Sequence, residues 1–388
     1  MKKTIFTSIL AAMVLLTACG GGTNNTAPVN TDEPEENGIV TGSENTETPE
    51  RRFMDVDYSD SFSVEYLADD VKLVTDAENR KLLLVPRGQE APNGYDDAIL
   101  IYTPAERVLF CSGTQVGMLA PYDGVFQYIG GVTQEPGRWV FPEIEERLSD
   151  GRIVYVGNSR EPDYELIQEL NPELAFVYTG SSGQTAMIAK LEELGIPYAV
   201  DNEYLERKHT GRMEWTKFLA AFFNREDEAV AYVETQLTAL AEMEAKVAGQ
   251  DKPKVAWGQI YNGIVYVSGA GSYVAGEIEA AGGDYLFSDL PGTGSVQLSV
   301  EEFYDTLMEG GVFIYDSMGV PLAGFARLFE LAPIFQDCPV VANRNVWQFH
   351  INYYSNINKA HEQVVELAVI FYPDLYLGYE IQHYVPLD

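Results

Sequence analysis

Histidine is scarce in this 388-residue chain: four residues, His209, His350, His361 and His383. No HExxH, no CxxC and no carboxylate cluster at metal-ligand spacing accompanies them, so the sequence offers no resident metal site. His350 ends an apolar run that reads as a strand, which leaves both a ligand-facing histidine and an ordinary loop histidine open. Also missing are GxSxG, a P-loop and a GxGxxG following a strand, which removes the common signatures of nucleophilic catalysis and of nucleotide phosphate binding. With no catalytic constellation, the chain reads as a binder and not an enzyme. Positive charge is short as well. Lys and Arg number 25 against 59 Asp and Glu, a formal net charge of −34. Nothing would offset phosphate repulsion, which excludes nucleic acid as a partner, and no basic patch is available for an anionic membrane surface. Cysteine is limited to three residues. Cys111 and Cys338 sit in the apolar runs LFCSG and FQDCPVV and read as buried thiols, although the sequence alone leaves a disulfide between them open.

What is present is enough apolar material for a full core, 46% of residues, spread over a length suited to two domains. Residues 1–18 begin with Lys2 and Lys3, followed by an apolar segment from Ile5 to Leu16 that is too short to span a bilayer. Leu16-Thr17-Ala18-Cys19 resembles the lipobox of bacterial lipoprotein signal peptides. That resemblance implies cleavage before Cys19, a diacylglycerol on its thiol, and attachment to a lipid bilayer with no transmembrane helix. Residues 19–52 are Gly, Asn, Thr, Pro and Glu with almost nothing apolar, the composition of a disordered acidic tether.

Residues 53–100 carry FSVEYL, VKLVT and KLLLVP separated by polar turns, a meander of short strands read as a β-extension of the first lobe. From residue 101 strands and helices alternate: RVLFCS, then a short helix from Gly113 to Tyr122, RIVYVG, YELIQEL, LAFVYT, TAMIAKLEELG and IPYAV. Apolar strands alternating with helices predict a parallel sheet covered on both faces. A helix from Met213 to Phe223 closes this first α/β lobe, residues 101–223. Residues 224–249 then predict one long helix, with Val230, Val233, Leu237, Leu240, Met243 and Val247 on one face, Asn224 as its cap and Gly249 as its stop. Residues 250–388 resume the rhythm as a second α/β lobe: VAWGQI, IVYVSG, a helix from Tyr273 to Ala281, SVEEFYDTLM, VFIYDS, FARLFELAP, the strands PVVAN and NVWQFH, and a helix from Asn358 to Phe371. YELIQELNPELAFVY in the first half echoes EEFYDTLMEGGVFIY in the second, as two related lobes would. Tyrosines gather at strand ends, where parallel sheets form their ligand face.

From residue 100 onward several stretches, in order, resemble one family. They are RVLFCSGTQVGMLAPYDGVFQYIGGVT, DYELIQELNPELAFVYTG, KLEELGIPYAV, GRMEWTKFLAAFFNREDEA, GAGSYVAGEIEAAGGDYLF and GTGSVQLSVEEFYD. The family is that of the substrate-binding lipoproteins of ABC importers for iron–siderophore complexes and cobalamin, the helical-backbone or class III periplasmic binding proteins. Asp284 stands where that family often has Asn. The resemblance implies an α/β fold of two Rossmann-like lobes joined by the long helix, a ligand in the cleft between them, and docking to an ABC importer permease through one glutamate on each lobe. The matching residues are Glu165 in the first lobe and Glu301 or Glu302 in the second. For the cleft, the strand ends and the loops after them nominate Thr114, Gln115, Arg138, Trp139, Tyr178 and Ser182 in the first lobe. In the second they nominate Trp257, Tyr261, Ser272, Tyr273, Met318, His350, Asn352 and Tyr353. Arg212 in GRMEW is expected to lock the connecting segment to a lobe. The implied ligand is a small-molecule metal chelate, a ferric siderophore first, cobalamin or another corrinoid second, haem third, with no cofactor bound directly. The protein is expected outside the cytoplasm as an anchored monomer, either serving a transporter or acting as a surface sensor or scavenger without one. An uninterrupted helical strut predicts small lobe motions on binding.

Overall fold

The structure is a computed structural model, and residues 52–318 and 320–388 are described. The expected signal peptide, the Cys19 anchor and the tether up to residue 51 lie outside the described residues.

The chain begins with a five-stranded sheet, β1 (Arg52–Phe53), β2 (Ser63–Tyr66), β3 (Lys72–Thr75), β4 (Lys81–Pro86) and β5 (Ile99–Thr103), in sequential order. The first four strands form the expected antiparallel meander. β5 departs from it by pairing parallel to β4 and running past residue 100. This β-extension is attached by polar contacts to two helices described below. The Glu214 carboxylate accepts the backbone N–H groups of Asp57, Tyr58 and Ser59 at 2.8–2.9 Å. Lys72 Nζ, buried, donates to Ala221 O (2.8 Å) and Asn224 Oδ1 (2.9 Å) and pairs with Glu226.

The first α/β lobe contains β6 (Val108–Phe110), α1 (Gly113–Leu119), β7 (Ile129–Val132), α2 (Pro142–Ser149), β8 (Val154–Tyr155), α3 (Tyr164–Leu170), β9 (Ala175–Val177), α4 (Ser182–Leu194) and β10 (Tyr198–Val200). Its sheet is wholly parallel, in the order β10-β9-β6-β7-β8. The period of two along each strand divides it between two cores. Val108, Phe110 and Phe176 face the main core, whereas Leu109, Ala175, Val177 and Val200 face a second cluster with Ile167, Met187 and Leu191. Both faces are therefore covered, as the apolar strands predicted.

Two helices lead out of this lobe, α5 (His209–Ala221) and α6 (Glu226–Val247). Val233, Leu240, Met243 and Val247 of the expected stripe are buried on α6, along with Ala229 and Gln236. The expected cap is corrected. Arg225 occupies the N-cap position without a side-chain capping bond. Asn224 lies at φ +56°, the left-handed conformation Asn tolerates just beyond a helix, and its side-chain oxygen is taken by Lys72. Asn224 thus ends α5 rather than starting α6.

The second lobe holds β11 (Lys254–Tyr261), β12 (Ile264–Ser268), α7 (Tyr273–Ala280), β13 (Asp284–Tyr285), β14 (Ser295–Ser299), α8 (Val300–Leu307), β15 (Val312–Tyr315), α9 (Phe325–Leu331), α10 (Pro339–Ala342), β16 (Val346–Phe349), α11 (Ala360–Phe371) and β17 (Tyr384–Pro386). The mixed sheet runs β14-β12-β11-β15-β16-β17, with β13 also on β11. PVVAN, expected as a strand, is the short helix α10. Pro339 at its first turn has a fixed φ that suits a helix start, and its missing N–H costs no bond there. The echo noted in the sequence falls on equivalent units: α3 leads into β9 beside β6, and α8 leads into β15 beside β11, parallel in both cases.

One apolar cluster runs through both lobes without a break. It takes in Phe110 and Leu119, then Phe218 and Phe222 of α5, Leu240 and Met243 of α6, and Val255, Phe313, Leu367 and Leu387. Across the lobe junction the backbones also meet. A Cβ added at Gly117 of α1 would lie 2.6 Å from Ser355 O, a separation only glycine permits. Tyr232 and Gln236 of α6 both donate to Asn358 O, at 2.8 and 2.6 Å, which fixes the strut to the second lobe.

Candidate functional site

The carboxyl ends of the parallel strands carry the candidate site. After β7 the chain makes a loop, residues 133–141, whose tip bears Arg138 and Trp139. Glu145 of α2 holds that loop, its carboxylate accepting N–H from Gly137 (2.8 and 3.0 Å) and Trp139 (3.0 Å), while Gln134 Nε2 donates to Arg138 O. From the second lobe come the turns after β15 and β16. Asp316 organises the first: its carboxylate accepts Met318 N–H (3.0 Å) and Tyr354 O–H (3.0 and 3.2 Å), and burial pushes it up to about 6. Met318 is held at φ +46°, and 57% of it is exposed. The two sets of loops enclose a cavity of about 270 Å³. Gln134, Arg138 and Trp139 form one wall, and Met318, Asn352, Tyr354 and Ser355 form the other. Four candidates named from the sequence, Arg138, Trp139, Met318 and Asn352, therefore converge here.

A second cavity, of about 150 Å³, lies on the first lobe's own strand ends. It is lined by Ser112, Thr114 and Gln115 after β6, Tyr178 after β9, and Asp201, Glu203 and Tyr204 after β10. It brings in Thr114, Gln115 and Tyr178 of the candidates. Ser112 Oγ caps α1 through Thr114 N–H and lies 2.6 Å from the Thr114 hydroxyl. Tyr178 and Tyr204 meet edge to face at 5.9 Å. Beneath them Arg212, buried as expected of a structural residue, donates from Nε to Glu203 at 2.5 Å and lies 4.1 Å over the Tyr273 ring of α7. Arg212 thus ties the segment after β10 to the second lobe. Glu277, one turn on from Tyr273, is fully buried with neither oxygen hydrogen-bonded. Burial raises it to about 8 despite the nearby Arg212, and the Glu203 charge adds to the rise.

The remaining candidates do not join these cavities. Trp257 is 2% exposed and packs edge-on against Phe349 at 5.1 Å, because β11 continues to Tyr261 and leaves residue 257 in mid-strand. Tyr353 is equally interior, stacked on Phe349 at 3.8 Å. Tyr261 points from the β11–β12 hairpin and is exposed. Ser182 is exposed at the first turn of α4, and the neighbouring Ser181 supplies the cap. Tyr273 is held by Arg212. His350 accepts Asn352 N–H at Nδ1 (3.2 Å) and so shapes its turn. Ser272 caps α7 and borders a different cavity, of about 610 Å³, between α7, the end of α6 and residues 207–210. That space is the largest described but lies away from the turns after β7, β15 and β16. Asp201, Glu203, Asp316 and Glu145 were not singled out from the sequence, whereas Tyr354 belongs to the tyrosines read at strand ends. The position of Asp201 directly after the strand IPYAV was the signal available for the first of these.

Among the described residues no group of three His, Cys, Asp or Glu is arranged to hold a metal ion. Cys111 and Cys338 are free and buried. No helix among the described residues is long and apolar enough to cross a membrane.

Known proteins with this arrangement are numerous. A family model described as periplasmic binding protein matches residues 120–350. An uncharacterized lipoprotein of Methanocaldococcus jannaschii is 33% identical over 318 residues, 79% of this chain and 76% of that protein. The fold is similar to that of the molybdate periplasmic binding protein of Haemophilus influenzae, with a TM-score of 0.58, 12% identity, and coverage of 78% of this chain and 92% of that one. It is also similar to a periplasmic heme-binding protein of Roseiflexus, with a TM-score of 0.52, 17% identity, and coverage of 70% and 99%. Two α/β lobes joined by an uninterrupted helix, strand ends facing a shared cleft, and a family match over most of the lobes lead to one assignment: the chain belongs to the periplasmic binding proteins, with the two-lobed fold of their helical-backbone class.

Proposed function

We propose that this protein captures a metal chelate between its lobes and delivers it to an ABC importer. The observation that carries the reading is the 270 Å³ cavity walled by both lobes, since a solute there touches Arg138 and Trp139 on one side and Met318 and Asn352 on the other. An indole edge and an exposed thioether suit the greasy rim of a chelate, and a guanidinium nearby suits its oxygen donors. Solutes named for proteins of similar fold include heme, nickel and molybdate. A ferric siderophore is the first choice for this chain, with cobalamin, another corrinoid or haem as alternatives. A surface sensor or scavenger without a transporter remains the second class. The lipobox at Cys19, together with the lipoprotein relative, supports a lipid-anchored protein outside the cytoplasm. In this reading residues 1–18 are the signal peptide, the tether runs from residue 19 to residue 51, one residue short of the expected limit because Arg52 pairs in β1, and the monomer is the working unit.

For docking, the two glutamates of α8 are not equivalent. Glu302 closes a capping box, accepting Ser299 N–H and Ser299 O–H at 2.8 Å, which holds its carboxyl below the usual range. Glu301 is exposed and carries no such bond, so Glu301 is the partner of Glu165 in the proposed pair. Carboxylates of this kind match permease arginines through bidentate bonds. Tryptophan quenching and absorbance titrations with ferric chelates, haem and cobalamin test the ligand class; no binding tighter than about 10 μM for any of them refutes it. Glu165→Ala with Glu301→Ala should abolish uptake at unchanged affinity, and undiminished uptake refutes the docking pair.

A further inference from the structure

The first-lobe cavity sits where the order of the parallel sheet turns back on itself. The chain runs outward from β6 to β7 and β8, then returns to lay β9 and β10 on the other side of β6. The crevice between the ends of β6 and β9 is the topological switch point, the usual ligand position in an open parallel sheet. Several buried polar atoms in the lining of that crevice are left without partners. Gln115 is 1% exposed; its side-chain amide lies against Asp201 and favours that carboxylate, and its oxygen has no partner. Asp201 is 2% exposed; its Oδ1 accepts Glu203 N–H at 3.1 Å, and its Oδ2 has no partner. Unmet buried polar groups are costly, and the cost is recovered when a ligand supplies the missing donors.

The charges decide which donors those are. Glu203 is ion-paired with Arg212, which leaves Asp201 as the carboxyl of the cavity without a cationic partner. Its open acceptors are Asp201 Oδ2 and Gln115 Oε1, and the rings of Tyr178 and Tyr204 stand beside them. Carboxylate and amide oxygens next to aromatic rings form an environment for an organic cation, through charge-assisted hydrogen bonds and cation–π attraction. We propose that this crevice is an ammonium subsite, which selects solutes carrying a protonated amine and seats that amine on Asp201 Oδ2 and Gln115 Oε1. The proposal rests on the solute-binding reading above and narrows it to cation-bearing ligands. Burial, and next the Glu203 charge, push the free carboxyl of Asp201 well above the usual carboxylate range.

The test uses the full chain and its Asp201→Asn variant. Asparagine keeps the shape and the Oδ1 acceptor for Glu203 N–H, so the loop after β10 is retained. In the first arm the probes are ferrioxamine B, a ferric trihydroxamate with one free terminal ammonium, and its N-acetylated form, which lacks the charge. The wild type should bind the free amine roughly tenfold or more tightly, and Asp201→Asn should erase the difference. The second arm needs no chelate. n-Butylammonium chloride should raise the Tm of the wild type above that seen with KCl at equal ionic strength, and not that of the variant. If both chelates fail to bind while the ammonium shift persists, the chelate reading falls and the subsite stands. Absence of any Asp201-dependent preference for the amine in both arms overturns the subsite, including when both chelates bind well.

Discussion

Replacing Glu277 by glutamine should leave the protein nearly as stable as wild type at pH 4.5 and make it markedly more stable at pH 8. Glu277 is buried on α7, with Arg212 lowering its proton affinity and Glu203 raising it, and its folded-state value is about 8 against 4.5 for the unfolded chain. Below pH 4.5 both states hold the proton, and the residue contributes no pH dependence. Between 4.5 and 8 the unfolded chain releases the proton while the folded chain keeps it, so native stability falls by about 1.4 kcal/mol per pH unit. The loss levels off above pH 8, at a total on the order of 5 kcal/mol, with about 3 kcal/mol already lost at pH 7. Glutamine keeps the side-chain volume and has no proton to lose. The assay is urea unfolding followed by near-UV circular dichroism at half-unit steps from pH 4.5 to 9, with the variant-minus-wild-type difference plotted against pH. A difference that climbs through this window and then flattens fits the reasoning. Parallel curves, with a constant difference, would refute it and return Glu277 to an ordinary charged carboxylate.

Other outcomes can be checked with single substitutions. Gly117→Ala places a methyl 2.6 Å from Ser355 O, and the strain should exceed the helix-propensity gain of up to about 1 kcal/mol; thermal melts should show a lower Tm, and a raised Tm would mean that the lobe junction yields. Glu145→Ala removes the three N–H contacts that hold the Arg138–Trp139 loop. Tryptophan emission should shift to the red, and chelate affinity should drop roughly tenfold with about 1 kcal/mol of stability lost. Ser299→Ala opens the α8 capping box at a cost of about 1 kcal/mol without altering uptake, which separates the structural glutamate, Glu302, from the docking one.

Much of the fold could be read from periodicity. The stripe through Val233, Leu240, Met243 and Val247 needs only the helical repeat, and the apolar strands announce a sheet buried on both sides. α2 was missed because PEIEERLS buries a single apolar residue, Ile144, too few for a period. Asn224 was misplaced because a residue ending one helix and a residue starting the next share the same chemistry, and only Lys72, 152 positions away, settles which role applies. The candidate site was legible at Met318, where the apolar run VFIYDS reaches its limit, but the strand Ile129–Val132 that leads to the Arg138–Trp139 loop was not, because two of its four residues are glycine. It was not legible at Trp257, since β11 runs four residues beyond it. The choice between Glu301 and Glu302 was open to sequence reasoning, because Ser299 and Glu302 stand at the spacing of a capping box. Asp201 and Gln115 gain meaning only from the crossing of chains that sets them side by side, with Asp201 Oδ2 and Gln115 Oε1 as open acceptors.

The continuous apolar core has a consequence for how the molecule comes apart. Two lobes around a cleft suggest two cooperative units, yet the cluster from Phe110 through Phe218 and Leu240 to Phe313 and Leu387 is one body of packed side chains. Opening either lobe exposes surface belonging to the other. Calorimetry of the ligand-free protein should therefore trace a single transition, with calorimetric and van't Hoff enthalpies in agreement. A fragment carrying only one lobe should then emerge with a bare apolar flank and aggregate. Division of labour at the cleft thus coexists with indivisibility of the folding unit.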